Sequence, residues 1–347
     1  MKNIKNKIIF FIFFIILIFI IFIYYSEIKN NNFKIIFVGD ICLDKALYKN
    51  KNDNTKYISE LTAGNLINKN IDFLEKFNFL FKNADKCIGN LETAITEEEE
   101  ACEKDFTFNS DESSITFLKK YFDALSIANN HSYDYGKKGF MDTITKLNKY
   151  DLKYFGGGKN LVEARKPIFY FEKGIHIAVL SYDLSIKSNN KIAEATNEKP
   201  GIVWAYKKYL KNDIEKVKNK NIDFIILYIH WGKEYEKIAS ELDQLDIAQY
   251  SIDCGVDIII GTHPHVPQNI DIYKGKPIFY SLGNFIFNGF VDVPSAKIGW
   301  ILELELLKNK KINWQIHYVN IDYYGIPHYG GKLPKNFVGE DKFIKYK

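Results

Sequence analysis

Four of the seven histidines in this chain, His131, His230, His263 and His265, stand in short polar clusters. The two clearest clusters are Asn129-Asn130-His131 and Gly261-Thr262-His263-Pro264-His265. Neutral imidazole is the commonest protein ligand for metal ions, and side-chain oxygens suit the same cations. In the second cluster, the proline favours extended backbone at His263, so that both imidazoles would point to a similar side. The spacing therefore predicts a metal-binding site.

Carboxylates stand in comparable positions elsewhere in the chain. Asp40 follows Gly39, which would let the backbone turn and approach a ligand, and Glu92 stands two residues after Asn90. Taken alone, Asp40 is more simply explained by an Asx turn or a helix N-cap, and Glu92 fits a turn cap equally well. Taken together, the clusters predict seven metal-ligating side chains: Asp40, Glu92, Asn130, His131, His230, His263 and His265. Four of these are also candidate catalytic residues: Asp40, Glu92, His131 and His230.

Each cluster follows an apolar run that is typical of a buried β-strand. We predict strands at 34–38, 86–88, 122–127, 168–171, 175–180, 222–229, 257–260, 277–280, 300–306 and 312–318, and helices at 71–81, 136–150, 205–218 and 240–254. Alternating strands and helices indicate an α/β fold, and the later strand pairs indicate a mixed sheet or a second sheet. Ligands of open α/β folds bind at the C-terminal ends of the strands, so the clusters should meet there.

Several other histidines, glycines and cysteines are not predicted to take part in the site. His176 and His317 alternate with apolar residues and should be solvent-facing strand residues, whereas His328 has no predicted place. Gly156-Gly157-Gly158-Lys159 lacks the spacing of a phosphate-binding loop and is interpreted as a turn. The four cysteines form no disulfide framework. A bridge between Cys87 and Cys102 is an alternative to the simpler interpretation as isolated buried thiols.

The N-terminal segment predicts a membrane anchor. Residues 8–25 are an unbroken apolar run, about 27 Å long as a helix, which is enough to cross a bilayer. Three lysines precede the run, which places the N-terminus in the cytoplasm and the rest of the chain outside the cell membrane, as a single-pass protein. A cleaved signal peptide is the alternative, but Ser26-Glu27-Ile28-Lys29 offers no small-residue cleavage site. We therefore divide the chain into an anchor (1–29), a main domain (30–330) and a tail (331–347).

Charge and composition exclude some classes of partner. Residues 1–29 carry four lysines and one glutamate, which leaves a net charge of about +1 on the rest of the chain, against +4 for the whole. Such a nearly neutral body lacks the basic surface that nucleic-acid binding requires, so no nucleic-acid partner is expected. Arg165 is the single arginine. A site for an anionic substrate must therefore use metal, lysine, histidine or backbone N–H groups.

Taken in order, the clusters resemble the CapA family of capsule and poly-γ-glutamate synthesis proteins, a relative of the calcineurin-like metallophosphoesterases. The resemblance covers roughly residues 35–287. The matching segments are Gly39-Asp40, Asn90-Leu91-Glu92, Asn130-His131, Gly156 and Gly158 with Glu163-Ala164 and Pro167, His230-Trp231-Gly232 with Glu234, Gly261 with His263-Pro264-His265, and Ser281-Leu282-Gly283-Asn284-Phe285.

The resemblance implies a metallophosphoesterase-like layered sandwich of mixed sheets flanked by helices. It also implies divalent metal ions (Mn, Fe, Zn or Mg) and a role in extracellular polymer synthesis, with hydrolase or transfer activity. The implied partners are membrane polymer-synthesis proteins and an anionic polymer or small-molecule substrate. Two positions depart from the phosphoesterase pattern: Cys42 stands where that pattern has histidine, and Asn90 where it has a bridging aspartate. Glu92 could replace that aspartate. A noncatalytic assembly subunit and an extracytoplasmic metallophosphoesterase are the alternatives.

Overall fold

The computed structural model describes residues 14–18, 32–50, 53–185, 193–289 and 293–334. Residues 14–18 are helical with exposed side chains, and the rest of the predicted membrane span at 8–25 lies outside the described residues. Across the described ranges, no helix is both long enough and apolar enough to cross a membrane. The final strand runs across the predicted boundary at residue 330, and the predicted tail beyond residue 334 lies outside the described residues.

The first sheet is built around the strand that opens the main domain. Its strands are β1 (Phe33–Ile41), β4 (Lys86–Leu91), β5 (Ala124–Ser126), β6 (Lys153–Phe155), β15 (Asn284–Ile286), β16 (Ile298–Leu306), β17 (Ile312–Ile321) and β18 (Pro327–Lys332). Their order is β18-β17-β16-β1-β4-β5-β6, and β15 pairs with the end of β1. The strands β1, β4, β5 and β6 are parallel, whereas β16, β17 and β18 continue the sheet as antiparallel strands. The sheet is therefore mixed, as predicted.

The second sheet has six strands. They are β8 (Ile168–Glu172), β9 (Ile175–Leu184), β11 (Phe224–Trp231), β12 (Ile258–Thr262), β13 (Ile270–Tyr273) and β14 (Lys276–Phe279). The order is β13-β14-β12-β11-β9-β8, with antiparallel strands at the two edges and four parallel strands between them. Two further antiparallel pairs are β2 (Ala46–Asn50) with β3 (Asp53–Ile58), and β7 (Gly157–Gly158) with β10 (Gly201–Ile202).

The helices are mostly short. The described α-helices of the main domain are α1 (Ala63–Asn68), α2 (Asn78–Phe81), α3 (Ser113–Leu118), α4 (Gly136–Lys149), α5 (Leu161–Ala164), α6 (Lys207–Lys218) and α7 (Asp246–Cys254). The helix predicted at 71–81 is instead a turn followed by a 3-10 helix, Glu75–Phe77, and by α2. The helix predicted at 240–254 begins as a π-helix, Glu241–Leu245, in which the Leu245 amide donates to the Ser240 carbonyl five residues before it at 3.1 Å. A second 3-10 helix spans Pro294–Lys297.

The inner faces of the two sheets pack on each other, and helices cover both outer faces. Between the sheets, the rings of Phe37 and Tyr228 have centroids 5.6 Å apart, and the Tyr228 hydroxyl donates to the Val38 carbonyl at 2.6 Å. Phe140 of α4 joins the outer core of the first sheet, and Leu210 of α6 joins that of the second. Each large apolar side chain buried in this way contributes about 1.5–3 kcal/mol. The predicted layered α/β sandwich, with mixed sheets flanked by helices, is confirmed.

Two predictions about residues outside the clusters are wrong. His317 does not face solvent: it is completely buried on β17, with Nε2 3.1 Å from Glu303 Oε2 and Nδ1 3.1 Å from the Tyr329 hydroxyl. These polar partners compensate for the burial of the imidazole. Gly157 and Gly158 are not in a turn, because they form β7, and a Cβ atom on Gly157 would come within 2.8 Å of Ile127 Cδ1. By contrast, His176 is only half-buried, near the start of β9.

The cysteines are isolated thiols, as predicted, but only Cys42 and Cys87 are buried, whereas Cys102 and Cys254 are half-buried. Among the described residues, none of them is joined in a disulfide. Cys87 is buried with its thiol 3.9 Å from the Phe81 carbonyl oxygen, and Cys102 Sγ lies 3.4 Å from the Tyr133 carbonyl oxygen. The bridge between Cys87 and Cys102 is therefore not formed.

The single arginine is a structural residue. Arg165 Nε and Nη2 donate to the two carboxylate oxygens of Asp213 at 2.7 and 2.8 Å, and the Tyr182 hydroxyl donates to the same carboxylate. We expect Arg165→Lys to lower the free energy of unfolding by about 1–3 kcal/mol, because an ammonium cannot form both bonds of the planar guanidinium. Chemical denaturation followed by circular dichroism measures this change.

A surface ion pair provides the control for this prediction. Lys207 pairs with Asp246 at 2.8 Å, and both side chains are about half exposed. Lys207→Ala should cost at most about 1 kcal/mol, because solvent screens the interaction. If both variants lose the same free energy of unfolding, the paired hydrogen bonds of Arg165 contribute no more to stability than a surface ion pair does.

Candidate metal centre

The structure brings all seven predicted side chains to one place, the edge at which the parallel strands of both sheets end. Five of them form two overlapping groups whose ligand atoms lie within 4.8 Å of one another: Glu92 with His230 and His263, and Asp40 with Glu92 and His265. All five side chains are buried. Glu92 is common to both groups, which makes it the geometric centre of the arrangement.

Asp40 lies inside a strand rather than in a turn after it. β1 continues through Ile41, and the pairing with β4 and β15 becomes irregular at this point. Gly39 is needed here because a Cβ atom would lie 1.7 Å from the Gly283 carbonyl oxygen, so it allows the approach of another strand and not of a ligand. Asp40 Oδ1 accepts from the Asn90 side chain at 2.8 Å. The sheet itself therefore orients this carboxylate.

Glu92 is a buried carboxylate without a hydrogen bond among the described residues, and the nearest imidazole nitrogen, His230 Nε2, lies 3.5 Å from it. Its side chain has no exposed surface, and among the described residues neither carboxylate oxygen has a hydrogen-bond partner. Burial, and then the charge of Asp40, raise the pKa of Glu92 well above its usual range. An isolated buried carboxylate costs several kcal/mol unless it is paired or coordinates a metal. Glu92 is therefore suited to a bound cation.

His230 occupies the end of β11 between the two sheets. Its Nε2 atom lies 2.7 Å from Asn130 Oδ1 and 3.5 Å from Glu92 Oε1. Burial, and then the neighbouring His263, lower the pKa of His230 well below its usual range. The ring is therefore neutral, which is the form that binds metal ions.

His263 and His265 follow β12, and their backbone differs from the prediction. His263 has φ +95° and His265 has φ +59°, so neither is extended. The left-handed region is unfavourable for such residues and persists only where the surroundings hold it. The His263 amide donates to Asp40 Oδ2 at 3.3 Å, and His265 Nδ1 lies 2.9 Å from Asn284 Oδ1. These contacts turn both rings towards the centre in spite of the proline between them.

Asn130 and His131 lie beside the two groups rather than within them. His131 Nδ1 is 2.7 Å from Asp134 Oδ2, whereas its Nε2 is 4.0 Å from Glu92 Oε1. Asp134 is completely buried and also accepts from the Phe108 amide and from Lys104. Burial lowers the pKa of His131, and the carboxylate of Asp134 opposes this effect. Asp134 thus orients the ring and leaves Nε2 facing the centre.

Sequence analysis did not identify Asp134 or Asn284. The available signal for Asp134 was its position three residues after His131, a spacing that brings the two side chains together in a turn. Asn284 lay within a matching segment of the family, but it was given no role. Its side chain contacts His265 and donates to the Ala296 carbonyl at 2.9 Å. It therefore links the centre to the 3-10 helix before β16.

Cys42 occupies no ligand position. It is buried in a small apolar cluster with Phe108 and Phe287 and belongs to neither ligand group. The ring of Phe108 lies 4.4 Å from that of His131, and the ring of Phe287 lies 4.9 Å from that of His265. This cluster gives the centre an apolar wall, which strengthens electrostatic interactions beside it.

Comparison with known proteins places most of the chain in one family. The family model of the bacterial capsule synthesis protein PGA_cap matches residues 34–289. The capsule biosynthesis protein CapA of Bacillus anthracis is 35% identical over 215 residues, which cover 60% of this chain and 51% of that protein. The PGA biosynthesis protein CapA of Bacillus subtilis is 32% identical over 257 residues, which cover 73% of this chain and 62% of that protein. The chain thus spans about half to three fifths of the length of these relatives.

Solved structures show more distant likeness. The calcineurin-like phosphoesterase YfkN of Bacillus subtilis is 15% identical, with a TM-score of 0.47, over 82% of this chain and 90% of that one. A hypothetical protein of Thermus thermophilus is 11% identical, with a TM-score of 0.49, over 86% of this chain and all of that one. Likenesses of this strength do not bear on the chemistry of the centre.

Proposed function

The chain belongs to the bacterial capsule synthesis protein PGA_cap family, and we propose that it acts in extracellular poly-γ-glutamate or capsule synthesis as a membrane-anchored, metal-dependent hydrolase or transferase. The observation that carries the proposal is the buried Glu92 carboxylate, which belongs to both ligand groups and has no hydrogen-bond partner among the described residues. The names of the two Bacillus relatives support the process, and the apolar run at 8–25 supports the anchor.

The residues present fit divalent metal. Three imidazoles and two carboxylates offer the nitrogen and oxygen ligands that Mn, Fe and Zn accept, and the carboxylates alone would suit Mg. Asp40, Glu92, His230, His263 and His265 would hold the metal, with Asn130 beside His230. A divalent cation in this place would polarise an acyl or phosphoryl oxygen of a substrate.

His131 is the residue best placed to move a proton. Asp134 holds its Nδ1 atom, so Nε2 faces the ligand groups and is available to a substrate. An imidazole oriented by a buried carboxylate is the usual arrangement for general acid–base catalysis. Asp134 is a positioning residue in this proposal, because it acts through His131.

The proposed substrate is an anionic polymer or a small anionic molecule. The nearby Lys104 ammonium is bound to Asp134 and to the Asn130 carbonyl, and Arg165 is bound to Asp213. Neither of these two side chains is therefore available to a substrate carboxylate or phosphate, and the metal would supply the positive charge. The expected partners are other membrane proteins of polymer synthesis.

Gene disruption with complementation tests the proposal. We expect that disrupting the gene in its host abolishes or strongly reduces the surface polymer, measured chemically on washed cells. The wild-type gene should restore it, and His263→Ala should not, because that change removes a proposed ligand. His176→Ala is the matched control, because His176 lies at the opposite end of β9 and belongs to neither ligand group. Immunoblotting verifies equal protein amounts.

Each alternative function predicts another outcome. Full complementation both by His263→Ala and by Glu92→Gln, which changes the ligand shared by the two groups, would exclude metal-dependent catalysis and support a noncatalytic assembly subunit. Unchanged polymer after disruption would exclude the role in polymer synthesis. In that case, turnover of generic phosphodiesters with added Mn²⁺ would favour an extracytoplasmic metallophosphoesterase.

A further inference from the structure

The metal centre lies at the opposite end of β1 from the point at which the chain enters the domain. β1 begins at Phe33, immediately after the segment that follows the apolar run, and it reaches the centre at Asp40. At roughly 3.3 Å per residue these two positions are about 23 Å apart. The end of the sheet at which Phe33 lies is therefore the end nearest the proposed anchor.

Two turns, one from each sheet, meet at this end of the domain, where the chain enters it. The turn between β8 and β9 contains Gly174, and a Cβ atom on Gly174 would lie 2.9 Å from Lys308 Nζ in the turn between β16 and β17. The register of β1 with β16 places Phe33 opposite Leu306, just before that second turn. Both turns therefore border the first residue of the domain.

The chain entering from the N-terminal segment contacts the same place. Lys173 Nζ donates to the Asn32 carbonyl at 3.2 Å and forms an ion pair with Asp85 at 2.7 Å. Asn32 is separated from the end of the apolar run by only a few residues. If residues 8–25 cross a membrane, the seven residues from Ser26 to Asn32 can hold these turns no further than about 25 Å from its surface.

The side chains at this end of the domain suit a membrane surface. Phe171 is 58% exposed although it is a large aromatic residue. Lys308, Lys310 and Lys311 are all exposed in one turn. Lys310 pairs with Asp223, but no described carboxylate forms an ion pair with Lys308 or Lys311. We call Phe171, Lys173, Lys308, Lys310 and Lys311 the entry patch. An exposed aromatic ring beside lysines is typical of segments that bind anionic lipid headgroups.

We propose that the entry patch docks on the anionic headgroup surface of the membrane in which residues 8–25 are anchored. The inference rests on the anchor in the proposed function. Docking would hold the sheets upright on the bilayer, with the metal centre facing away from it. A polymer substrate would then be processed at a set distance from the membrane and not at its surface.

Fluorescence of the full-length chain in vesicles tests this proposal. F171W and I238W each add one tryptophan, and Ile238 is the control because it is 65% exposed in the segment after β11, on the side of the metal centre. The vesicles contain phosphatidylcholine and phosphatidylglycerol, with a nitroxide quencher at the headgroup, and the emission of the unsubstituted chain is subtracted. We expect loss of the F171W emission and no loss for I238W.

Charge reversal provides the second arm of the test. Adding K308E, K310E and K311E to F171W should restore the emission. Salt at about 1 M should do the same, because the Debye length is then only about 3 Å. Circular dichroism and metal content show whether the variant remains folded.

The outcomes separate docking from anchoring. If the protein does not float with the vesicles, the anchor is wrong and docking is wrong with it. If it floats but F171W and I238W are quenched equally, or not at all, docking alone is wrong. Equal quenching of F171W in vesicles of phosphatidylcholine alone would overturn the role of the lysines.

Discussion

Glu92→Gln is expected to abolish metal binding in both ligand groups while leaving the metal-free protein at least as stable as the wild type. Glu92 is the side chain that the two groups share, and its carboxylate is buried without a hydrogen-bond partner among the described residues. Changing a residue that only hydrogen-bonds to a metal ligand typically lowers metal affinity about 10–100-fold. Loss of the ligand that both groups share should therefore lower it more than about 100-fold. In the metal-free protein, the change removes the free-energy cost of burying a carboxylate and keeps the volume of the side chain.

Metal analysis and chemical denaturation, each with and without added metal, measure these opposite effects. His263 and His265 belong to one group each, so His263→Ala and His265→Ala should each lose only part of the bound metal. Asp183→Asn is the matched control. Asp183 is equally buried and lies beside His230 in the pairing of β9 with β11, but it belongs to neither group. A Glu92→Gln protein that retains the metal content of the wild type would refute the shared-ligand assignment.

Gly39→Ala is expected to lower the free energy of unfolding by at least about 3 kcal/mol, which is the upper end of the usual cost of overpacking. The added Cβ atom would lie 1.7 Å from the carbonyl oxygen of Gly283 and 2.8 Å from its carbonyl carbon. Both are backbone atoms, so no side-chain rotation relieves the contact. The strands must separate, and the hydrogen bond from the Asp40 amide to the Gly283 carbonyl, 3.0 Å long, is then lost. Denaturation midpoints and metal content should therefore fall together.

Gly275→Ala is the control for this prediction. Gly275 has φ +77°, but a Cβ atom there would meet nothing within 4 Å. Only the backbone penalty of about 1–2 kcal/mol is expected, with no effect on metal binding. If both variants lose the same stability, the close approach of Gly39 to Gly283 is not the cause.

Local pattern was enough to predict most of the strands and the composition of the site. β11 and β12 were predicted because their apolar runs are long and unbroken, and the histidine clusters stood directly after those runs. Strand ends were predicted too early at β1 and β4, where Asp40 and Asn90 are part of the strands. The polar residues there look like turn residues in the sequence. They remain in strands because neighbouring strands pair with them.

Other features depended on contacts that no local pattern contains. His317 follows the alternation of a surface strand, yet Glu303 and Tyr329 from the adjacent strands enclose it. His263 precedes proline, which favours extended backbone, yet its φ is +95° because the loop is held against Asp40 and Asn284. In both cases, interactions between distant segments outweigh the local preference.

The α/β architecture, the resemblance to a capsule synthesis family and the seven side chains that should meet could all be predicted before folding is considered. They follow from periodicity, from residue types and from the order of clusters along the chain, all of which are local or linear properties. The neighbours of each of those side chains, by contrast, depend on the packing of the folded chain. The tertiary structure placed Glu92 in both ligand groups, paired His131 with Asp134 and moved Cys42 into an apolar wall. Such relations depend on how two sheets pack face to face, because that packing brings together strand ends that lie far apart in the chain.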